Sequence, residues 1–426
     1  MTTPGGPAAS AARFVGQSVP RREDPRLITG RGRYVDDIVL PGMLHATFVR
    51  STVSRGTITG LAVDAEREHD GVVAVLTAAE VNHHAKAFWQ TTMGPGSVVA
   101  PMRVLADGDV RYVGEPIALV VAESRYVAED AAELVEVDVD PMPPVLDAHA
   151  ALEAGAPLVH PELTGNLAGD AAMDADGIDE RLDAAAHRFD MTFSQHRYVN
   201  VPMETRGLVV AWDPWTEQLQ IHIAAQGVHE PRLFYSRMLG IPENSIRVVM
   251  GDVGGSFGQK MYQHREEHAV VIAARSLADV TGGRPIKWIE DRAENLIAGG
   301  HAREESMDIS VGVDDDGRLL VAKVRHVENV GAFPAGGNGQ NASFAGPVFP
   351  GPYRWSGPGS VSFHGHAAFT NTCGSCAYRG PWMMETVARE QMVDTVARRL
   401  GIDPLELRRR NVIRSSELPF TTPMQL

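Results

Sequence analysis

The chain has 426 residues, 44% of them hydrophobic and 22% charged, which is an ordinary globular composition with room for two or three domains. Its formal net charge of -15, with lysine only at Lys86, Lys260, Lys287 and Lys323, argues against a nucleic-acid partner, because phosphate binding needs clustered cations. Two cysteines, Cys373 and Cys376, are too few for a disulfide framework or a four-thiolate zinc site.

The opening MTTPGGPAASAARF has neither the charged nor the apolar region of a leader, so residues 1–20 are expected to form a flexible tail. No apolar run is long enough to span a bilayer, and a cytoplasmic protein without a membrane partner is expected. From Arg21 to about Val145 short apolar strands alternate with helical stretches: GMLHATFVRS and DGVVAVLTAAEV, then EPIALVVAES followed by RYVAEDAAELVEVDVDPMPP. This reads as an α/β unit ending near residue 150. Gly, Pro and small residues break every period over 151–170, which reads as a linker.

Farther on, GLVVAWDPWTEQLQIHIAAQ and MDISVGVDDDGRLLVAKVRHVENVGA alternate around turn-forming Asp, Pro and Gly, so two hairpins of a mixed sheet are expected. HEPRLFYSRMLG predicts a helix with Pro231 in its first turn, and IRVVM a strand. Beyond Phe333 no period develops; PAGGNGQNASFAGPVFPGPYRWSGPGS reads as a long Gly/Pro/Asn-rich loop of the kind that lines sites. ETVAREQMVDTVARRLGIDPLELRRRN is an amphipathic helix, a glycine stop and a second short helix.

Between the IRVVM strand and a helix lies VVMGDVGGSFGQKMYQHREEH, Val248 to His268. A glycine turn there lets backbone approach something bulky and leaves first-turn N–H groups for an anion. GGSFGQKM lacks the G-x-G-x-x-G order, and Met261 follows its lysine where a P-loop needs Ser or Thr, so nucleotide hydrolysis is not expected. The glycines are equally compatible with a plain tight turn, although Phe257 among them suits a pocket wall. His264, Glu267 and His268 spell H-x-x-E-H, the inverted zinc-peptidase pattern; a polar helix start on a solvated face is the alternative.

Several motifs occur together: AYRG at Ala377–Gly380, GGSFGQK, PMETRG at Pro202–Gly207, the strand-end Gln226 and the tail DPLELRRRN. With them, the chain closely resembles the large, molybdenum-binding subunit of the xanthine dehydrogenase and aldehyde oxidase family, from Val19 to Asn411. The resemblance implies an α+β fold: an α/β hammerhead domain over 21–150, the linker 151–170, and the first molybdenum-cofactor-binding domain, with mixed sheets, over 171–426. It implies that Gly255, Ser256, Phe257 and Gly258 lie against a molybdenum pterin, in its cytosine dinucleotide form, with Ala377, Arg379 and Gly380 beside them. The resemblance further implies that no side chain ligates the metal, which is expected to be held through the pterin. Gln226 matches the glutamine that hydrogen-bonds an oxo ligand, and Arg379 the arginine that orients substrate or stabilises negative charge. Gln226, Phe257 and Arg379 are the candidate catalytic residues.

The implied reaction is hydroxylation of an electron-poor carbon with water as oxygen source, electrons leaving through 2Fe-2S clusters and FAD on partner subunits. The family's large subunit continues for a comparable length and there supplies the catalytic glutamate. The Gly114-Glu115-Pro116 step belongs to the hammerhead domain and is no substitute for it. A split subunit completed by a second polypeptide is therefore expected, with a truncated or scaffolding subunit as the alternative. Gly380 stands where carbon monoxide enzymes carry cysteine, and Met261 where purine enzymes carry glutamate, which leaves aldehydes or aromatic N-heterocycles as substrates. Trp382, Met383 and Met384 narrow that pocket or pack as core, and Cys373 and Cys376 are expected to be ordinary buried residues rather than a redox pair.

Overall fold

The structure, a computed structural model, describes residues 14–86, 97–335, 340–380 and 383–424. Its strands are β1 (Leu44–Arg50), β2 (Gly56–Ala62), β3 (Val72–Leu76), β4 (Asp109–Val110), β5 (Pro116–Ala122), β6 (Glu136–Pro141), β7 (Leu167–Met173) and β8 (His187–Val199). They continue with β9 (Gly207–Asp213), β10 (Gln218–Ile223), β11 (Ile246–Val249), β12 (Ile286–Ile289), β13 (His301–Val313), β14 (Leu319–Asn329) and β15 (Val361–Ala368). Three sheets result, ordered β11-β10-β9-β12-β1-β5-β3, β7-β15-β14-β13-β8 and β4-β2-β6. The first two are mixed, since β1–β12, β10–β11 and β14–β15 pair parallel among antiparallel neighbours.

Both expected hairpins form, β9 with β10 and β13 with β14. The apolar run PIALVVA becomes β5, buried at every residue, because the helices Arg125–Leu134 and Arg265–Ser276 both pack on it. The seven-stranded sheet does not respect the division near residue 150. β1 pairs with β12, aligning Leu44 with Ile286, so strands of the N-terminal unit and of the later region share one sheet and one core. The supposed linker is shorter than 151–170, because β7 begins at Leu167 and forms an edge of the five-stranded sheet. Of the N-terminal tail, residues 1–13 lie outside the described residues.

The expectation of a long loop without helical period after Phe333 is corrected: Gln340–Val348 is a helix, and β15 follows it. Two glycines, one in the helix and one in β15, allow this helix to sit against the sheet. A Cβ on Gly365 would lie 2.3 Å from the Ala342 carbonyl oxygen, and one on Gly346 would lie 2.8 Å from the Phe363 ring. The C-terminal helices follow the sequence signals. Met384–Leu400 ends at Gly401 in the left-handed region, φ 69°, and Asp403 caps Pro404–Asn411 by accepting from the N–H groups of Leu405 and Glu406.

Candidate active site

The glycine stretch spans from the end of β11 to the helix Arg265–Ser276 and is pinned from below by charge. Glu204 accepts, through one carboxylate oxygen, the Gly254 N–H at 2.8 Å and the Lys260 ammonium at 2.8 Å, while its own N–H donates to the Gly254 carbonyl. Lys260 is buried, and burial draws its ammonium below the ordinary value against the pull of Glu204. One ion pair thus ties both limbs of the turn, an interaction that burial makes costly to break.

At the tip, Phe257 adopts φ 58°, a conformation unusual for a bulky residue and costing on the order of 1–3 kcal/mol. The residue stays 41% exposed. Its carbonyl accepts the Arg379 N–H at 2.7 Å, and Asn200 Nδ2 donates to both the Phe257 carbonyl (3.4 Å) and the Ala377 carbonyl (2.8 Å). Gly258, at φ 117°, has no room for a side chain: a Cβ would lie 2.2 Å from the Ala377 oxygen. The bulky object that this glycine approaches is therefore the AYRG segment of the chain itself. Gln226 is tied to the same loop twice, by its N–H to the Lys260 carbonyl at 3.0 Å and by its side-chain oxygen, which accepts from Ser256 Oγ.

Gln226, Gly255–Gly258 and Ala377–Gly380, far apart in sequence, thus form one hydrogen-bonded cluster. Among the described residues, the N–H groups of Gly255, Ser256 and Phe257 donate no hydrogen bond, and the exposed Arg379 guanidinium makes neither an ion pair nor a hydrogen bond. Unspent donors and an unpaired cation beside an exposed aromatic ring suit an acceptor-rich, anionic group with an organic ring system, and a molybdenum pterin is one. Asn200, Glu204 and Lys260 were not assigned from the sequence. The lone lysine drew notice there, but nothing in the spelling paired it with a glutamate 56 positions upstream.

Behind the turn, the polar start of the helix Arg265–Ser276 is not a solvated face: Arg265, Glu266, Glu267 and His268 are all buried. Fully buried Arg206 pairs with Glu290 at 2.5 Å, Glu266 at 3.0 Å and Glu267 at 3.4 Å, and Arg50 joins Glu266 to Glu294. Burial pushes Glu267 up to about 7 despite Arg206. Against the same burial, Arg206 and Arg50 hold Glu266 well below the carboxylate range. The zinc-peptidase reading fails here. His264 stands outside the helix as its N-cap, its ring bonded to the Gln259 carbonyl at 2.9 Å; Glu267 accepts the His264 N–H, and His268 stacks on Phe234. Among the described residues no group of three His, Cys, Asp or Glu could hold a metal. Glu115 is likewise spent, on Arg265 at 2.7 Å.

Cys373 is buried and Cys376 half-buried, both are free thiols, and burial pushes Cys376 up to about 12. Met384 is core, Met383 and Met261 are exposed, and Trp382 lies outside the described residues.

Such a turn, laced to Gln226 just beyond β10 and to the AYRG segment, has the donors to meet a bound cofactor. A model of the molybdopterin cofactor-binding domain matches residues 159–412, and one of the aldehyde oxidase and xanthine dehydrogenase a/b hammerhead domain matches 29–143. The chain belongs to the molybdenum hydroxylase large-subunit family, that of xanthine dehydrogenase and aldehyde oxidase. It is 36% identical over 414 residues to the nicotine 6-hydroxylase large subunit of Paenarthrobacter nicotinovorans, covering 96% of this chain and 49% of that one. With the carbon monoxide dehydrogenase large chain of Hydrogenophaga pseudoflava the identity is 34%, over 94% and 50%. The crystal structure of quinoline 2-oxidoreductase from Pseudomonas putida 86 superposes with a TM-score of 0.91 at 37% identity, over 96% of this chain and 52% of that one. The chain thus spans about half the length of the relatives it matches. No helix among the described residues is long and apolar enough to cross a membrane.

Proposed function

We propose that this chain forms one wall of the active site of a cytoplasmic molybdenum hydroxylase that acts on an aromatic N-heterocycle or an aldehyde. What carries the reading is the convergence of Gln226, Phe257 and Arg379 on one turn with three unspent N–H groups. The cofactor, proposed to be the cytosine dinucleotide form of the molybdenum pterin, would supply two-electron oxidation with water as the oxygen source. Gly255, Ser256 and Phe257 would hold it through main-chain N–H groups, while Gly258, whose own N–H is taken by Ser256 Oγ, would let the turn close against the segment that Ala377 and Gly380 shape. Arg379, always cationic, would orient the substrate and stabilise developing negative charge, and the Phe257 ring would cover the reacting face and exclude water.

Glu204, the carboxylate that touches this turn, is held by Lys260 and by backbone N–H groups and is not free to act as a base. The base is assigned to the second molybdenum-binding domain, the half of the relatives' length that this sequence does not span, on a second polypeptide or otherwise joined to it. Partner subunits carrying 2Fe-2S clusters and FAD would take the electrons away. Gly380, at φ 74°, offers no thiol, which speaks against carbon monoxide. Exposed Met261 cannot hydrogen-bond a purine edge. The names of the nicotine and quinoline relatives favour an N-heteroaromatic ring over an aldehyde. Purification of the assembly from its native source should yield copurifying subunits, a pterin and molybdenum in near one-to-one ratio with this chain. An intact but molybdenum-free assembly would overturn the proposal.

A further inference from the structure

The side chain of Ser256 turns inward, 9% exposed, rather than toward the open face of the turn. Its hydroxyl accepts the Lys260 N–H at 2.9 Å and the Gly258 N–H at 3.3 Å. A serine hydroxyl has two lone pairs and one hydrogen, so both acceptor positions are taken and only the O–H remains. The partner of that O–H is the side-chain oxygen of Gln226. The two ends of a glutamine amide are told apart only by the network around them, and here the network leaves a single solution. Were the amide reversed, its NH2 would face an oxygen whose lone pairs are already filled. Gln226 must therefore present Oε1 to Ser256 and turn both Nε2 hydrogens away from it. The main chain holds this arrangement in place, because the Gln226 N–H bonds the Lys260 carbonyl, and Lys260 is itself pinned by Glu204.

We propose that Ser256 is a positioning residue that fixes the polarity of the Gln226 amide, so that the exposed end of Gln226 is an obligatory hydrogen-bond donor selecting an acceptor atom on the group it meets. This rests on the reading of Gln226 as part of the cofactor site for its consequence, while the amide assignment stands on hydrogen bonding alone. It also gives the Ser256 hydroxyl, as distinct from the main-chain N–H of the same residue, a role that acts through Gln226.

The test is nuclear magnetic resonance on the full chain as purified, labelled with 13C,15N-glutamine, the Gln226 signal being assigned by its loss in Gln226→Glu. In Ser256→Ala the Gln226 Cδ resonance should move upfield and the side-chain amide lose order, and Ser256→Thr, which keeps the hydroxyl, should restore both. An unchanged Gln226 signal in Ser256→Ala overturns the inference. Should Ser256→Ala not fold, Gln226→Glu alone decides, since a donated O–H favours the ionised carboxylate. Its carboxyl should titrate below the ordinary glutamate value of about 4.3; a value at or above that overturns the inference. Molybdenum content is measured separately. Retained molybdenum with an unmoved Gln226 signal sinks the positioning role and spares the cofactor reading, whereas a shifted signal in a molybdenum-free assembly supports the positioning role and sinks the cofactor reading.

Discussion

Replacing Gly258 with alanine isolates the contact on which the site geometry turns. The new Cβ would stand 2.2 Å from the Ala377 oxygen, 2.6 Å from its carbonyl carbon and 3.0 Å from its Cβ. The AYRG segment cannot simply retreat, because Asn200 holds the Ala377 carbonyl and the Arg379 N–H holds Phe257. A backbone at φ 117° costs an alanine on the order of 1–3 kcal/mol, and forcing an extra carbon into a packed contact adds about 1–3 kcal/mol, so the expected loss is about 2–6 kcal/mol. Gly401→Ala is the control: φ is 69° and nothing lies within 4 Å of the added carbon, so only the left-handed strain of about 1–2 kcal/mol applies. Urea unfolding followed by circular dichroism reads both as midpoint shifts. If Gly258→Ala lowers stability no more than Gly401→Ala, the close approach of the turn to the AYRG segment is wrong.

Arg206→Met should cost about 3–5 kcal/mol in the same assay, because it strands Glu290, Glu266 and Glu267 in the interior. Arg379→Met should stay within about 0.5 kcal/mol of the parent while abolishing substrate turnover by the assembly; unimpaired turnover would leave Arg379 without its assigned role. Burial lowers His160 to about 4 and His268 to about 3, so both are neutral in the fold, whereas the unfolded chain takes up protons near the ordinary value of about 6.5. Their contribution to stability is complete above about pH 6.5 and is lost as pH falls toward 4 and 3, and His264, lowered by burial to about 4, acts with them; Glu267, raised to about 7, and Glu294 and Glu385, also raised by burial, work in the opposite sense. The urea midpoint should fall between about pH 7.5 and 5, and a flat or rising midpoint would contradict the burial of these imidazoles. Native iodoacetamide treatment should label Cys373 and Cys376 slowly, with both reacting on unfolding, since burial raises both thiols.

The parts of the fold legible in the sequence were those specified locally. The turn residues between β9 and β10 and between β13 and β14 announced hairpins, and Gly401 with Asp403 and Pro404 marked where one helix stops and the next starts. Illegible were the consequences of distant packing. Pairing of β1 with β12 joins residues more than two hundred positions apart and depends on no local spelling. The helix Gln340–Val348 was hidden because Gly346, small for close packing, looks the same in sequence as a glycine chosen for a loop. The helix start at Arg265 carries charges that a single sequence assigns to solvent, and Arg50, Arg206 and Glu115, brought from distant parts of the chain, make their burial tolerable. Family motifs supplied Gln226, Phe257 and Arg379, whereas Asn200, outside every motif, and Glu204, inside PMETRG but given no role by its spelling, became visible as the residues holding that cluster together only through their hydrogen bonds.

The central claim is that the turn at Phe257 faces a molybdenum pterin. An experimental structure of the molybdenum-loaded assembly measures this directly. The account predicts pterin or metal-oxo acceptor atoms within hydrogen-bond distance of Gln226 Nε2 and of the N–H groups of Gly255–Phe257, with Arg379 at the substrate side. A cofactor bound to another face of this chain, leaving those donors in solvent, would contradict it.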